Sequence, residues 1–205
     1  MRTEISSVNE LRDVLGQPLE RVMRKDRAAL APEQIVWLRE SPFCLLSTSA
    51  ADGSCDVSPK GDPAGFVHVI DSSTIAVPER PGNKRADGYR NILENPHVGP
   101  LFVVPGRGDT LRINGRATIL AEAPYFDDLV VKGNRPQLVV EVAIEQIFFH
   151  CGKAFLRSAL WSPESWHPEN VPFRAKIAKA LERPDDSLEE LEAYYGKPYA
   201  EGLYS

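Results

Sequence analysis

The sequence predicts a mainly β protein with added helices (α+β): an antiparallel β-barrel with helices packed around it. Three observations lead there. At least six short runs of strand character recur between hairpin-type turns. A single helical pattern interrupts that series. Apolar residues make up 42% of the 205 against 26% charged, with a net charge of −5, a balance that can bury a core and keep a wet surface. No low-complexity linker divides the chain, so a single domain over 1–205 is expected, with N-terminal helices at 1–41, a barrel core at 42–150 and a C-terminal helical extension at 151–205.

In chain order, Ser7 and Glu10 have capping-box spacing ahead of the stripe Leu11, Val14, Leu15 and then Gly16, which predicts a short opening helix. A second helix is expected from Pro32 to about Glu40, because proline suits the first helical position and Ile35, Val36, Trp37 and Leu38 supply apolar bulk. Beyond Pro42 the pattern turns to strands. "FCLLSTSA", the Asp52-Gly53 turn and "SCDVS" read as a hairpin. "GFVHVID" and "STIAVP" flank a second turn at Asp71 to Ser73. "KRADGYRNILENP" inserts a helix, with Tyr89, Ile92 and Leu93 at helical spacing and Pro96 beyond its end. Strands resume with "VGPLFVV" and "DTLRINGRATIL", where Leu111, Ile113 and Gly115 alternate with Arg112, Asn114 and Arg116. A short helix around Pro124 to Lys132 precedes the long run "QLVVEVAIEQIFFH". Helices at about Val171 to Leu181 and Ser187 to Tyr195 complete the chain.

Composition also narrows function. The acidic balance does not suggest nucleic-acid binding. The longest apolar runs, Gln137 to Val142 and Gly99 to Val104, are too short to cross a bilayer, and the N-terminus lacks an apolar signal region, so a cytoplasmic protein without membrane contact is expected. Cys44, Cys55 and Cys151 are odd in number and far apart, hence reduced, buried thiols without a redox or zinc motif. The four histidines, 68, 97, 150 and 167, have no metal-ligand spacing, and no metal is expected. GxSxG, P-loop and GxGxxG signatures are missing, and no catalytic residue is assigned.

"DVSPKGDPAGF" (Asp56 to Phe66) sets Lys60 among Pro59, Gly61, Pro63 and Gly65, which predicts a bent, rigid turn; by itself it is a hairpin connection with its lysine in water. "PERPGNKRADGYR" is more specific. Asn83 reads as an N-cap, which puts Lys84 and Arg85 in a first helical turn, where the dipole disfavours cations. With Arg80 they form either a phosphate site or a solvated basic loop paired with Glu79 and Asp87. Arg112 and Arg116 could meet Lys60 at one barrel rim around a polyanion. Lys153 and Arg157 share a helical face whose plainer role is to cover a core contacted by Phe155, Leu156 and Leu160. Cys55 reads as a core residue rather than a nucleophile.

"SPFCLLSTS", "DVSPKGDPAGFV", "VPERPGNKRADGYRNILENPHVG", "VPGRGDTLRINGRA" and "FFHCGKAFLRSALW", in that order over Ser41 to Trp166, resemble the pyridoxamine 5′-phosphate oxidase-like FMN-binding split-barrel family, in particular a bacterial subgroup of FMN-dependent enzymes of unknown substrate. The resemblance implies a split β-barrel homodimer with two FMN sites at the interface, each built from both chains. It places Asp56, Val57, Ser58 and Lys60 along the flavin; Pro78, Glu79 and Arg80 beside the ribityl chain; and Asn83, Lys84 and Arg85 on the phosphate. Thr110 and Arg112 would reach the flavin's far side, and His150, Lys153 and Arg157 would come from the second subunit. Two features depart from the founding enzyme: Cys55 stands where it has arginine, and its Arg-Leu-His substrate clamp is not recognisable in "KAFLRSALW".

What the resemblance implies is an FMN-dependent oxidoreductase acting on a small organic substrate, with Lys60 stabilising the reduced anionic ring, and with FAD, a deazaflavin or haem as lesser cofactor candidates. The alternatives are a non-catalytic flavin or haem binding or sensing protein, and a binding module that uses the acidic tail with Tyr194, Tyr195, Tyr199 and Tyr204.

Overall fold

The structure is a computed structural model that describes residues 2–204; positions 1 and 205, the two ends of the single-domain expectation, lie outside the described residues. Helix α1 (Val8–Leu15) begins as the capping pattern predicts: the Ser7 hydroxyl accepts from the Glu10 amide at 3.2 Å, and the Glu10 carboxylate accepts from the Ser6 amide at 2.9 Å. Its apolar stripe covers no core, and Val14 and Leu15 are exposed. One turn of helix, α2 (Glu20–Met23), follows. Helix α3 (Pro32–Glu40) contrasts with α1. Proline fills its first position, Gln34 Oε1 accepts from the Ala31 amide at 2.9 Å, and Gln34, Trp37 and Leu38 are buried.

Seven strands form one antiparallel sheet: β1 (Phe43–Ser49), β2 (Cys55–Gly61), β3 (His68–Val69), β4 (Thr74–Pro78), β5 (His97–Val103), β6 (Thr110–Leu120) and β7 (Val139–His150), in the order β2-β1-β5-β6-β7-β4-β3. Strict alternation along β1 sends Cys44, Leu46 and Thr48 inward, and the same interior takes Phe102, Leu111, Ile113, Val142 and Ile147. The two ends of the sheet curl toward each other until Lys60 near the end of β2 reaches Glu79, just past β4, at 2.5 Å, with no strand pairing between β2 and β4. The result is a barrel left open along one seam, a split barrel.

Ile144 and Ile147 are three residues apart on β7, so in a regular strand they would face opposite sides. A register shift solves this. Asn114 pairs with Gln146 and the next residue, Gly115, pairs with Ile144, leaving Glu145 as the bulged residue. Both isoleucines then point inward, opposite Ile113 and Gly115. A Cβ on Gly115 would lie 2.1 Å from the Ala143 carbonyl oxygen, so only glycine fits at this point of closest strand approach.

Helix α4 (Asp87–Glu94) packs on β1, β2 and β6 with Ile92 buried. After β7 come α5 (Lys153–Arg157), α6 (Arg174–Leu181), α7 (Leu188–Tyr194) and α8 (Lys197–Glu201). Helices α6 and α7 bury Ala175, Ala178 and Leu191 in a small cluster of their own, and Ser187 and Glu190 form a capping box at the start of α7. The segment expected as a helix near Pro124 to Lys132 is a single 3₁₀ turn, Phe126–Leu129.

Several expectations are corrected. The segment around Lys60 is not a turn: β2 continues through Pro59 to Gly61, with Lys60 opposite Cys44. β2 is the edge of the sheet, where a missing proline donor disrupts no second ladder. Of the cysteines only Cys44 is buried, its thiol pKa pushed up to about 12 by desolvation; Cys55 and Cys151 are exposed, so Cys55 is not a core residue. Helix α5 buries none of its residues, and Leu156 is exposed.

Candidate functional site

Cross-strand pairing decides which side chains meet. Asp56, Ser58 and Lys60 lie opposite Thr48, Leu46 and Cys44, so all three look into the barrel side of β2. Val57, between them, points the other way and is exposed. Facing the three polar residues is the segment from Asn83 to Tyr89, which leads into α4. Gly88 permits this approach: a Cβ there would sit 3.1 Å from Asp56 Oδ2 and 3.4 Å from Thr48 Oγ1. Between the two walls lies a cavity of about 310 Å³, lined by Asp56, Ser58, Lys60, Glu79, Asn83 and Arg85, with Tyr89 and the backbone of Ala86 to Gly88 closing it.

At the inner end Lys60 Nζ bonds Glu79 Oε2 at 2.5 Å and the Tyr89 hydroxyl at 3.0 Å, while that hydroxyl donates to the same Glu79 oxygen. Lys60 is only 14% exposed and Glu79 27%, so the ion pair is partly shielded from water. Burial, reinforced by the bond to Glu79, holds the Tyr89 phenol protonated well above the usual tyrosine range. Lys60 is therefore not a bare cation beside the cavity; its charge is offset by Glu79.

At the outer end the loop is held differently from the prediction. Asn83 is not an N-cap. Its Oδ1 accepts from the Arg85 amide at 3.0 Å in an Asx turn, and the helix starts at Asp87 with Ala86 as the flanking residue. The first-turn residue is thus an acid, which the helix dipole favours, and the expected clash of cations with the dipole does not arise. Lys84 and Ala86 both have φ of 59°, a conformation costly for residues with a Cβ. The amide of Arg85, between them, is taken by the Asn83 side chain. Arg85 is exposed and its guanidinium bonds Asp87.

Other predicted residues lie elsewhere. Pro78 closes β4 in the core. Arg80 is turned away from the cavity: Nε bonds Asp62 at 2.5 Å, and the two Nη atoms bond the carbonyls of Leu129 at 2.7 Å and Asn134 at 3.2 Å. Arg112 and Arg116 do not converge with Lys60. On β6 they share the face opposite the core with Asn114, and Arg116 meets His97. Arg112 lies over the Phe148 ring at 4.1 Å and bonds Gln146 Oε1 at 3.0 Å, and its buried Nε has no hydrogen-bond partner among the described residues. Thr110 is buried and pairs with His150, whose imidazole is held below its usual pKa by burial and then by Arg112 and Lys25. Lys153 and Arg157 stand on α5 beyond β7. The sequence reading missed Tyr89 as a site residue, because its helical spacing marked it as packing; the polar run ahead of it was the available signal.

The family model described as pyridoxamine 5′-phosphate oxidase matches residues 30–151. The chain belongs to this family. That match spans the strands and both walls of the cavity and leaves out α1, α2 and the helices after β7. Among solved structures, a candidate pyridoxamine 5′-phosphate oxidase from Lactobacillus delbrueckii is 26% identical over 60% of this chain and 95% of its own, with a TM-score of 0.47. HupZ of Group A Streptococcus is 21% identical over 58% and 93%, with a TM-score of 0.48. An F420 reductase is 20% identical over 58% and 98%, with a TM-score of 0.42. No curated protein matches the chain.

Proposed function

We propose that this pyridoxamine 5′-phosphate oxidase family member binds FMN in the cavity between β2 and α4 and is an FMN-dependent oxidoreductase on a small organic substrate. The observation that carries the proposal is the meeting, around one cavity, of Ser58 and Lys60 from β2 with the side chains of Asn83 and Arg85 from the opposite wall. These donors fit the group: the phosphate has the Arg85 guanidinium and the Asn83 side-chain amide at the outer end, and the ring has β2 beside it. Bound there, FMN would supply the redox chemistry at its ring. Arg85 would leave Asp87 for the phosphate. Lys60, Glu79 and Tyr89 would hold one edge of the ligand through a network whose proton stays on Tyr89.

The proposal includes a homodimer with flavin sites at the interface. Within one chain Lys60 and Arg112 lie on opposite faces of the sheet, so both can serve one ligand only if a second chain lays its outer face, with Arg112 and His150, over the first chain's cavity. The unpartnered Arg112 Nε supports this. The test is the absorption spectrum of the purified protein, followed by mass analysis of what heat releases. One FMN per chain is expected. A colourless protein that takes up no added FMN would overturn the proposal.

A further inference from the structure

The C-terminal helices stand apart from the core of the barrel. Helices α6 and α7 pack on each other through Ala175, Ala178 and Leu191, and among the described residues none of these joins the hydrophobic cluster inside the barrel. Tyr194, Tyr195 and Tyr199 pack ring against ring and tie α7 to α8. Past α8 the chain meets the barrel at a buried polar point. The Tyr204 hydroxyl donates to Asp62 Oδ1, while Oδ2 of the same carboxylate accepts from Arg80 Nε at 2.5 Å, and Lys132 lies 5.4 Å from the Tyr204 ring. The Asp62 side chain is 1% exposed and that of Arg80 13%, so water does little to satisfy either charge and the tyrosine hydroxyl is part of what does.

Arg80 is also the root of the loop that walls the cavity. It bonds the carbonyls of Leu129 and Asn134, and the chain leaves it through Pro81 and Gly82 to Asn83 and Arg85, whose side chains line the cavity beside β2. Lys84 and Ala86 stand at φ of 59° in this loop, a conformation that persists only where its surroundings impose it. From within, the Asn83 side chain does so through the Arg85 amide. From without, the Arg80 anchor does so, and the tail shares that anchor. An element that buries few apolar side chains against its neighbour opens at low cost, so the tail is the part of this arrangement most readily released.

We infer that the C-terminal tail is a releasable strap for the cavity loop: docked through Tyr204 on Asp62, it holds Arg80 and the strained turn in the form that takes the ligand, and undocked it loosens them. Tyr204 and Asp62 are thus positioning residues. This inference rests on the flavin reading of the cavity and adds regulation of that same site. Coupling of this kind is reciprocal, so the ligand must fasten the tail as the tail fastens the ligand.

The test compares the full chain with Tyr204→Phe, which removes the hydroxyl, and Tyr204→Asp, which sets a second carboxylate against Asp62. Without ligand, amide exchange across residues 81–87 should be several-fold faster in Tyr204→Asp. FMN should bind that variant roughly tenfold more weakly and Tyr204→Phe by a smaller factor in the same direction. Saturating FMN should slow exchange across residues 197–204 of the unsubstituted chain, and do so less in Tyr204→Asp. A tail that only stabilises the fold would lower the urea midpoint and leave loop exchange and FMN affinity alone. That result, or faster loop exchange at unchanged affinity, overturns the inference while the flavin reading stands. Faster loop exchange in a chain that takes up no FMN overturns the flavin reading and leaves the strap standing.

Discussion

The two faces of the sheet treat charge in opposite ways. On the barrel side, Lys60 is enclosed by Glu79 and Tyr89 and opens onto a cavity shared with the Asn83 to Arg85 turn. On the outer side, Arg112 lies flat on Phe148, Lys25 approaches the same ring at 4.3 Å, and Asp26 accepts from Gln146 at 2.5 Å. The inner charge is compensated and faces a space; the outer charge rests on an aromatic ring and keeps a buried donor unpaired among the described residues. The difference teaches that strand register decides which charge faces the cavity and which lies on the outer face; in the proposed dimer each face would supply one half of a ligand site.

The most drastic way to break this contrast is to disturb the bulge. Gly115→Ala sets a Cβ against the Ala143 carbonyl, and the loss of stability should exceed about 3 kcal/mol, read as a lower urea midpoint or failure to fold. Next comes ligand affinity. Arg85→Ala should weaken FMN binding roughly tenfold at any protein concentration, because it removes a charge-assisted contact from the chain that owns the cavity. Arg112→Leu should weaken it in a way that depends on protein concentration, through the paired chain. Equal, concentration-independent losses would place both residues at one site within one chain and undo the comparison. A smaller effect follows from the inner ion pair: Glu79→Gln unmasks Lys60 and should raise the potential of bound flavin by roughly 30 mV, a tenfold change in a two-electron equilibrium. An unchanged potential would put the ring out of reach of Lys60.

The smallest effect concerns pH on the outer face. The pKa of His150 is lower in the folded chain than its ordinary 6.5, so the unfolded chain binds more protons between those two values. Its contribution to stability is complete above 6.5 and is lost as pH falls toward the folded pKa. His150→Gln should flatten that part of the urea-midpoint profile, and a wild-type profile level through this range would show that neither burial nor the charges of Arg112 and Lys25 lower the imidazole's pKa.

Much of the site was legible because local chemistry marks it. A loop that packs Pro81, Gly82, Asn83, Lys84 and Arg85 together after a strand is bent and basic whatever surrounds it. Its internal arrangement was not legible. The N-cap reading of Asn83 failed because an Asx turn satisfies the same side chain two residues on. The turn predicted at Lys60 failed because proline is tolerated at an edge, and edge position is a property of the sheet, not of the segment. Tyr89 escaped notice because the packing position and the Glu79 contact coincide on one side chain.

By itself the sequence determined the strands, the capped helices and the basic turn, since turn residues, period-two alternation and capping pairs act over a few positions and survive any tertiary context. Only the tertiary structure decided that β2 is an edge, that Glu145 bulges so that Ile144 and Ile147 share the core, that Arg80 turns away to Asp62, and that Lys60 meets Glu79 across the open seam. Those outcomes depend on pairings between residues distant in the chain, where a shift of one position moves a side chain to the opposite face of the sheet.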